Sequence, residues 1–139
     1  MSERTLILVK PDGVRRGLVG EVIRRVETKG YELVALELIN ATRQQLEEHY
    51  AEHRDKGFFS DLVEYMMSGP MVAIVAKGTR VIESFRGMAG ETNPVTAHPG
   101  TIRGDFGRDW GNGQIENIVH GSDSTLSAER EIGIWFPQL

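Results

Sequence analysis

Short apolar runs of strand length alternate along this chain with stretches of helical period, and the switches between them predict the elements. Thr5–Val9 (TLILV) is an unbroken apolar run, which predicts a buried strand. Lys10-Pro11-Asp12-Gly13 ends it with turn chemistry. From Leu18 to Lys29, Leu18, Val19, Val22, Ile23 and Val26 fall on one helical face, and Gly30 follows where a helix-terminating glycine belongs. Tyr31–Ile39 reads as a second strand, with Tyr31, Leu33 and Ala35 on one face and Val34, Leu36 and Leu38 on the other. Thr42 and Gln45 form a capping-box signature that opens a helix running to Tyr50. Ser60–Met67 reads as a short helix closed by Ser68-Gly69-Pro70. Met71–Ala76 (MVAIVA) is a third buried strand, and Thr79–Met88 a helix capped by Thr79. Gly90–Gly113 carries little periodicity and reads as a long loop. Glu116–His120 is a fourth strand, Ser124 caps a last helix to Ile132, and Trp135-Phe136 add apolar bulk.

This order predicts an α/β or α+β fold with a small sheet, in one domain spanning residues 1–139. A long loop inside so short a chain points to function, because such loops are uncommon in compact domains. With 40% hydrophobic and 26% charged residues, the composition is that of an ordinary globular protein. The net charge of −4 argues against a general nucleic-acid surface, yet leaves room for a local basic pocket. No cysteine is present, so disulfides, thiolate catalysis and zinc–cysteine sites are excluded. The apolar run near the N-terminus is too short for a signal peptide, and no segment approaches the ~18 apolar residues of a spanning helix. A cytoplasmic protein without membrane contact is expected, and Asn40-Ala41-Thr42 is a chance match to the glycosylation pattern.

Three cations lie at strand ends or in loops rather than on solvated helix faces: Lys10, Arg86 and Arg103. In an acidic protein such placement suits an anionic ligand, and guanidinium forks match phosphate oxygens; surface ion pairing is the plainer alternative. Neither a Walker-A segment nor a Rossmann glycine pattern occurs, so any bound phosphate must be held by side-chain cations. Arg103-Gly104-Asp105 is the adhesion tripeptide, but three residues are a cheap match. His120, in Asn117–Ser124 (NIVHGSDS), has three readings: a structural histidine, a metal ligand or a nucleophile. A metal site wants partners at ligand spacing, and His49 with His53 lack the helical pattern of a zinc enzyme, while His98 stands alone. The nucleophile reading finds local support. Gly121 clears space for a substrate, Ser122 can bond an anion or a carboxylate, and Glu131 on the following helix can reach back to orient the ring. Phosphorus is a fitting electrophile, since nearby cations stabilise a transferring phosphoryl group.

Taken together, KPDGVRRGLVGE, HYAEHRDKGFF, GETNP, PGTIRGDF and NIVHGSDS, in this order and spacing, closely resemble the nucleoside diphosphate kinases over essentially the whole chain. The resemblance implies a ferredoxin-like fold: a four-stranded antiparallel sheet covered by helices. It implies a ping-pong reaction in which a nucleoside triphosphate phosphorylates His120 and a nucleoside diphosphate collects the group. By motif, Lys10, Arg86, Thr92 and Arg103 correspond to the phosphate-binding side chains. Tyr50 and Lys10 lie near the reacting phosphate, Asn117 with Lys10 contacts the sugar, and Glu131 and Ser122 support the histidine. Phe58 matches the aromatic that stacks on the base; a core aromatic is the alternative, against which the Lys56-Gly57 turn speaks. Because every base has a π-face, such a platform implies broad base and sugar specificity. The implied cofactor is Mg²⁺, held mainly by the nucleotide phosphates, so no protein metal site is expected. A homo-oligomer built from dimers is implied, a hexamer rather than a tetramer.

Two features depart from the family pattern. The segment between Phe106 and Asn117, GRDWGNGQIE, is longer than the usual family spacing, which leaves the path and subunit contacts of residues 107–116 open. The chain also stops at Leu139, without the C-terminal extension that helps many members hold their subunits together, although short-tailed members remain oligomers. A non-enzymatic nucleotide-binding relative is the main alternative, and every matched functional residue is present, which argues against it. Nucleic acid is not expected as the primary partner.

Overall fold

The structure, a computed structural model, describes residues 2–139. Four strands form one antiparallel sheet: β1 (Ser2–Val9), β2 (Glu32–Ile39), β3 (Met71–Thr79) and β6 (Val119–Gly121), in the order β2-β3-β1-β6. The remaining strands, β4 (Arg108–Asp109) and β5 (Ile115–Glu116), make a separate ribbon. Around the sheet lie α1 (Pro11–Arg15), α2 (Val19–Thr28), α3 (Arg43–His49), α4 (Phe59–Met66), α5 (Val81–Ala89), α6 (Ile102–Phe106) and α7 (Thr125–Trp135). This is the implied ferredoxin-like arrangement.

The unbroken apolar runs have a direct physical reason. β1 and β3 are the central strands, and helices cover both faces of the sheet, so neither face can be polar. Ile7, Val9, Val72 and Ile74 pack with Val22 and Val26 of α2 and Phe85 of α5. Leu6, Leu8, Ala73 and Val75 pack on the other face with Leu46 of α3, Val63 and Met66 of α4, and Ile132 and Trp135 of α7.

Several expectations are corrected by the structure. Pro11-Asp12-Gly13 opens the short helix α1 instead of a simple turn, with proline at the start, where its missing N–H costs nothing. Thr79 belongs to β3 and caps nothing. The cap position of α5 is Arg80, at φ 57°, and Glu3 Oε2 accepts the Ile82 N–H at 3.1 Å. The alternation of β2 fails at a bulge between Leu33 and Ala35, which brings Val34 and Ala35 to the same core layer. Finally, Gly90–Gly113 is not structureless: Thr101 caps α6, accepting from the Gly104 N–H, and β4 begins a hairpin.

The expected strand Glu116–His120 is two strands. Glu116 pairs with Arg108 in the ribbon, whereas Val119 pairs with Val9 and His120 with Leu8 in the main sheet. Between them Ile118 has φ 72°, a left-handed conformation in which a β-branched residue is rare. It is fully buried, its N–H donates to Asp12 Oδ2 at 3.0 Å, and its carbonyl accepts the Lys10 N–H at 2.8 Å. Those bonds fix the turn that delivers His120 to the sheet.

Candidate active site

His120 stands on β6, one residue from the end of the strand, where the sheet meets α3 and α7. Its Nε2 lies 2.9 Å from Glu131 Oε1 on α7. Ser124 starts that helix by accepting from the Ser127 N–H, and two turns later Glu131 faces back to the strand. Ser122 donates to the same carboxylate oxygen at 2.7 Å, and Ser122 Oγ also accepts the Leu6 N–H at 3.0 Å. Burial pushes the Glu131 carboxyl upward, but hydrogen bonding and charge from His120 outweigh it, and its net pKa is lowered. Glu131 is therefore an acceptor, and Nε2, the ring nitrogen that faces it, is the one placed to donate.

A cleft of about 320 Å³ opens at this ring. Lys10, Tyr50, Phe58, Arg86, Thr92, Arg103, Asn117, His120 and Glu131 all line it, so nine of the ten expected site residues share one cavity. The tenth, Ser122, is fully buried behind Glu131. Lys10 Nζ donates to Asn117 Oδ1 at 2.8 Å. Arg103 gives three hydrogen bonds to backbone carbonyls, those of Asn117 (3.1 Å), Gly90 (2.9 Å) and Val119 (2.7 Å). No ion pair among the described residues involves Lys10, Arg86 or Arg103.

Burial and crowding of like charge leave a mark on the proton affinities of these cations. Burial, with Arg103 nearby, brings the Lys10 ammonium down to about 8. Burial and the Arg86 charge bring Arg103 down to about 10. Burial likewise pushes the Tyr50 phenol above its ordinary range, so it stays a neutral donor. Phe58 is half exposed at 50%, with its ring 5.7 Å from the Lys56 ammonium, which removes the core-aromatic alternative. A second cleft of about 590 Å³ backs onto Arg86 and Arg103 but includes neither His120 nor Lys10.

Gly121 lines the cleft, and the direction a side chain would take from it is filled by protein: a Cβ there would lie 2.6 Å from Phe85 Cδ2. The glycine lets β6 pack on α5. Residues that the sequence did not assign to the site also surround the histidine. The His49 ring meets the His120 ring edge-on at 4.5 Å, and Glu52, His53, Leu62, Gly121 and Asp123 complete the cleft. A capped helix ending at His49 beside an aromatic pair was the available signal; its packing partner lay 71 residues further along the chain.

His49, His120 and Glu131 bring one ligand atom each within 4.8 Å of one another. The Trp135 indole N–H donates to His49 Nδ1 at 3.1 Å, and indole can only donate. A metal on His49 would have to take that nitrogen from Trp135, or take Nε2 and force a proton onto Nδ1 against the indole. This nitrogen-rich, occupied cluster also mismatches hard cations, which prefer oxygen. The carboxylates of Glu52 and Asp123, which line the cleft, are the oxygen donors that fit an ion carried in on phosphates.

A family model described as "Nucleoside diphosphate kinase" matches residues 3–139. A nucleoside diphosphate kinase of Saccharopolyspora erythraea is 60% identical over 141 residues, covering 100% of both chains. One of Thermobifida fusca is 58% identical over 137 residues, 99% of this chain and 98% of the relative. Among solved structures, nucleoside diphosphate kinase from Encephalitozoon cuniculi superposes with a TM-score of 0.89 at 44% identity, covering 96% of this chain and 88% of that one. A nucleoside diphosphate kinase family protein from Babesia bovis gives the same values.

Proposed function

This chain belongs to the nucleoside diphosphate kinase family, and from that premise we propose that His120 carries the phosphoryl group between nucleotides. The enzyme transfers the γ-phosphoryl group of a nucleoside triphosphate to a nucleoside diphosphate. The observation that carries the residue assignment is the His120 ring: Nε2 is tied to Glu131, and the ring lines a cleft it shares with three cations that form no ion pair.

In the first half-reaction the Nδ1 lone pair attacks the γ-phosphorus. The bond from phosphorus to the β,γ-bridging oxygen breaks, and the diphosphate leaves with that electron pair. Glu131 stabilises the positive charge that develops on the ring, with Ser122 holding the carboxylate in place. Lys10, Arg86, Arg103 and Thr92 balance charge on the phosphate oxygens, and the neutral Tyr50 hydroxyl donates nearby. In the second half-reaction a terminal oxygen of an incoming diphosphate attacks phosphorus, the P–N bond breaks, and Nδ1 recovers its lone pair. Asn117 and Lys10 hold the sugar, and the half-exposed Phe58 ring offers a stacking face to any base. The family requires a divalent cation. We read it as Mg²⁺, which neutralises phosphate charge when bound, with Glu52 and Asp123 as the nearest fitting side chains.

Three wider readings accompany this one. Residues 1–139 form one catalytic domain, since both apolar layers share one sheet. The protein works in the cytoplasm, which a chain without cysteine suits; no helix among the described residues is long and apolar enough to cross a membrane. It assembles as a homo-oligomer of dimers, with the hexamer favoured. The free edge strand β2, with Leu36 47% and Leu38 66% exposed, supplies a face that wants a partner.

The test is a comparison of wild type and His120→Ala with γ-labelled ATP, followed by a diphosphate. Wild type should form an acid-labile, base-stable phosphoprotein that discharges onto the diphosphate, and the variant should form none. Absence of that species in wild type would end the reading.

A further inference from the structure

The Lys10-Pro11-Asp12-Gly13 motif, which ends β1 and opens α1, meets the backbone before His120 at three points. The Lys10 N–H donates to the Ile118 carbonyl at 2.8 Å, and the Ile118 N–H donates to Asp12 Oδ2 at 3.0 Å. Gly13 lies so close that a Cβ there would stand 3.1 Å from both the Ile118 carbonyl oxygen and Ile118 Cγ2. Across Ile118 the Val119 N–H donates to the Asn117 carbonyl at 2.7 Å, and with φ 72° at its centre this is a γ-turn of the rare, strained kind. A β-branched residue holds such a conformation only where its surroundings impose it, and strain of this sort gathers at functional sites.

The turn reaches the cleft on both sides. Asn117 Oδ1 accepts from Lys10 Nζ at 2.8 Å, and the Asn117 and Val119 carbonyls accept from Arg103 at 3.1 and 2.7 Å. The next residue is His120. Asp12 itself is 1% exposed, and a buried carboxylate is costly unless its oxygens are bonded. Its Oδ2 has the Ile118 N–H, but its Oδ1 is buried with no hydrogen-bond partner among the described residues, and the Tyr65 hydroxyl on α4 is in the same condition. These two sense each other. Burial first, then the Asp12 charge, holds the Tyr65 phenol above its ordinary range, with Glu116 adding to the effect and Arg15 opposing it. A neutral phenol donates and a carboxylate accepts, so the two orphaned oxygens are complementary.

Resting on the phosphotransfer reading above, we propose that Asp12, backed by Tyr65, is a positioning residue of the transfer, holding Asn117, Arg103 and His120 in register through the Ile118 turn. Its charge has a second effect. Lys10 is faced by Arg103 of α6, Asp12 of α1 and the neutral His49 of α3, and it shares the cleft wall with Tyr50, His120 and Glu131. Burial and Arg103 weaken the hold of Lys10 on its proton, and Asp12 works against both. Asparagine at this position keeps the shape without the charge: its carbonyl oxygen accepts the Ile118 N–H and its amide faces the phenol oxygen. Alanine removes both.

The experiment follows phosphorylation of the full-length enzyme by γ-labelled ATP in single turnovers from pH 6 to 9, with the label taken up at completion giving the concentration of active enzyme. Asp12→Ala should slow phosphorylation per active site by about a hundredfold. Asp12→Asn should recover all but a few-fold of that loss at pH 6.5, while its alkaline fall begins about one pH unit below the wild-type fall near 8. Tyr65→Phe should slow the step several-fold and leave the alkaline fall in place. Should the alanine variant fail to fold, the Asp12→Asn and Tyr65→Phe profiles decide alone. A merely structural Asp12 would lower the active fraction and the urea midpoint yet leave the rate per active site and the alkaline fall unchanged, and that result would overturn the assignment. Wild type that takes up no label would instead strike the phosphotransfer reading itself.

Discussion

A buried lysine that forms no ion pair is the most informative residue in the cleft. In the proposed role Lys10 holds phosphate and must be charged, yet burial and Arg103 hold its pKa near 8 rather than at the ordinary 10.5. In the free enzyme, kcat/KM should fall as pH rises through about 8, by up to about tenfold per pH unit, because the neutral amine no longer attracts the substrate. Lys10→Gln should be slower at neutral pH and flat across that range, which a pH profile would reveal. Folding stability moves the other way. Between about 8 and 10.5 the unfolded chain keeps a proton that the folded chain has lost, so the Lys10 contribution rises with pH. Opposite pH trends in activity and stability are the signature to look for. Lys10, Arg86 and Arg103 stood out in the sequence as cations at element ends, and the fold brings all three to one cleft. The way Arg103 is held was not legible there, because its partners are three backbone carbonyls from two separate segments, and carbonyls carry no side-chain signature.

At the scale of elements, what could be read depended on whether a signal was local. The capping box of α3 and the cap of α7 are contained in four residues each, and both appear as expected, with Thr42 and Gln45 bonding reciprocally. The central strands were equally plain, because burial on both faces leaves an unbroken apolar run. The β2 bulge and the divided strand around Ile118 were not visible, since each is set by a neighbouring strand or loop. Gly121 gives a quantitative check. Gly121→Ala puts a methyl group against Phe85 and should destabilise the fold by about 1–3 kcal/mol, read as a lower urea midpoint. If the glycine instead served only substrate clearance, the alanine variant would lose turnover and keep its midpoint.

For the whole molecule, the buried imidazole of His49 links the active-site wall to global stability. Burial and the neighbouring His120 lower its pKa from 6.5 to about 3, so the folded form holds it neutral. Its stabilising contribution is complete above pH 6.5 and is lost as pH falls toward 3, with a slope of at most ~1.4 kcal/mol per pH unit. Thermal melts from pH 7 to 4 should show a steeper loss for wild type than for His49→Gln. Assembly is open to an independent check: Leu38→Lys on the exposed β2 edge should shift the sedimenting species to smaller size, while an unchanged profile would point to another interface. The Ile118 kink bears on something broader than either test. Asp12 and Lys10 hold the backbone immediately after the hairpin, so the long loop ends at a fixed point before β6 begins. The course of that loop and the place of His120 in the sheet are thereby set by different contacts.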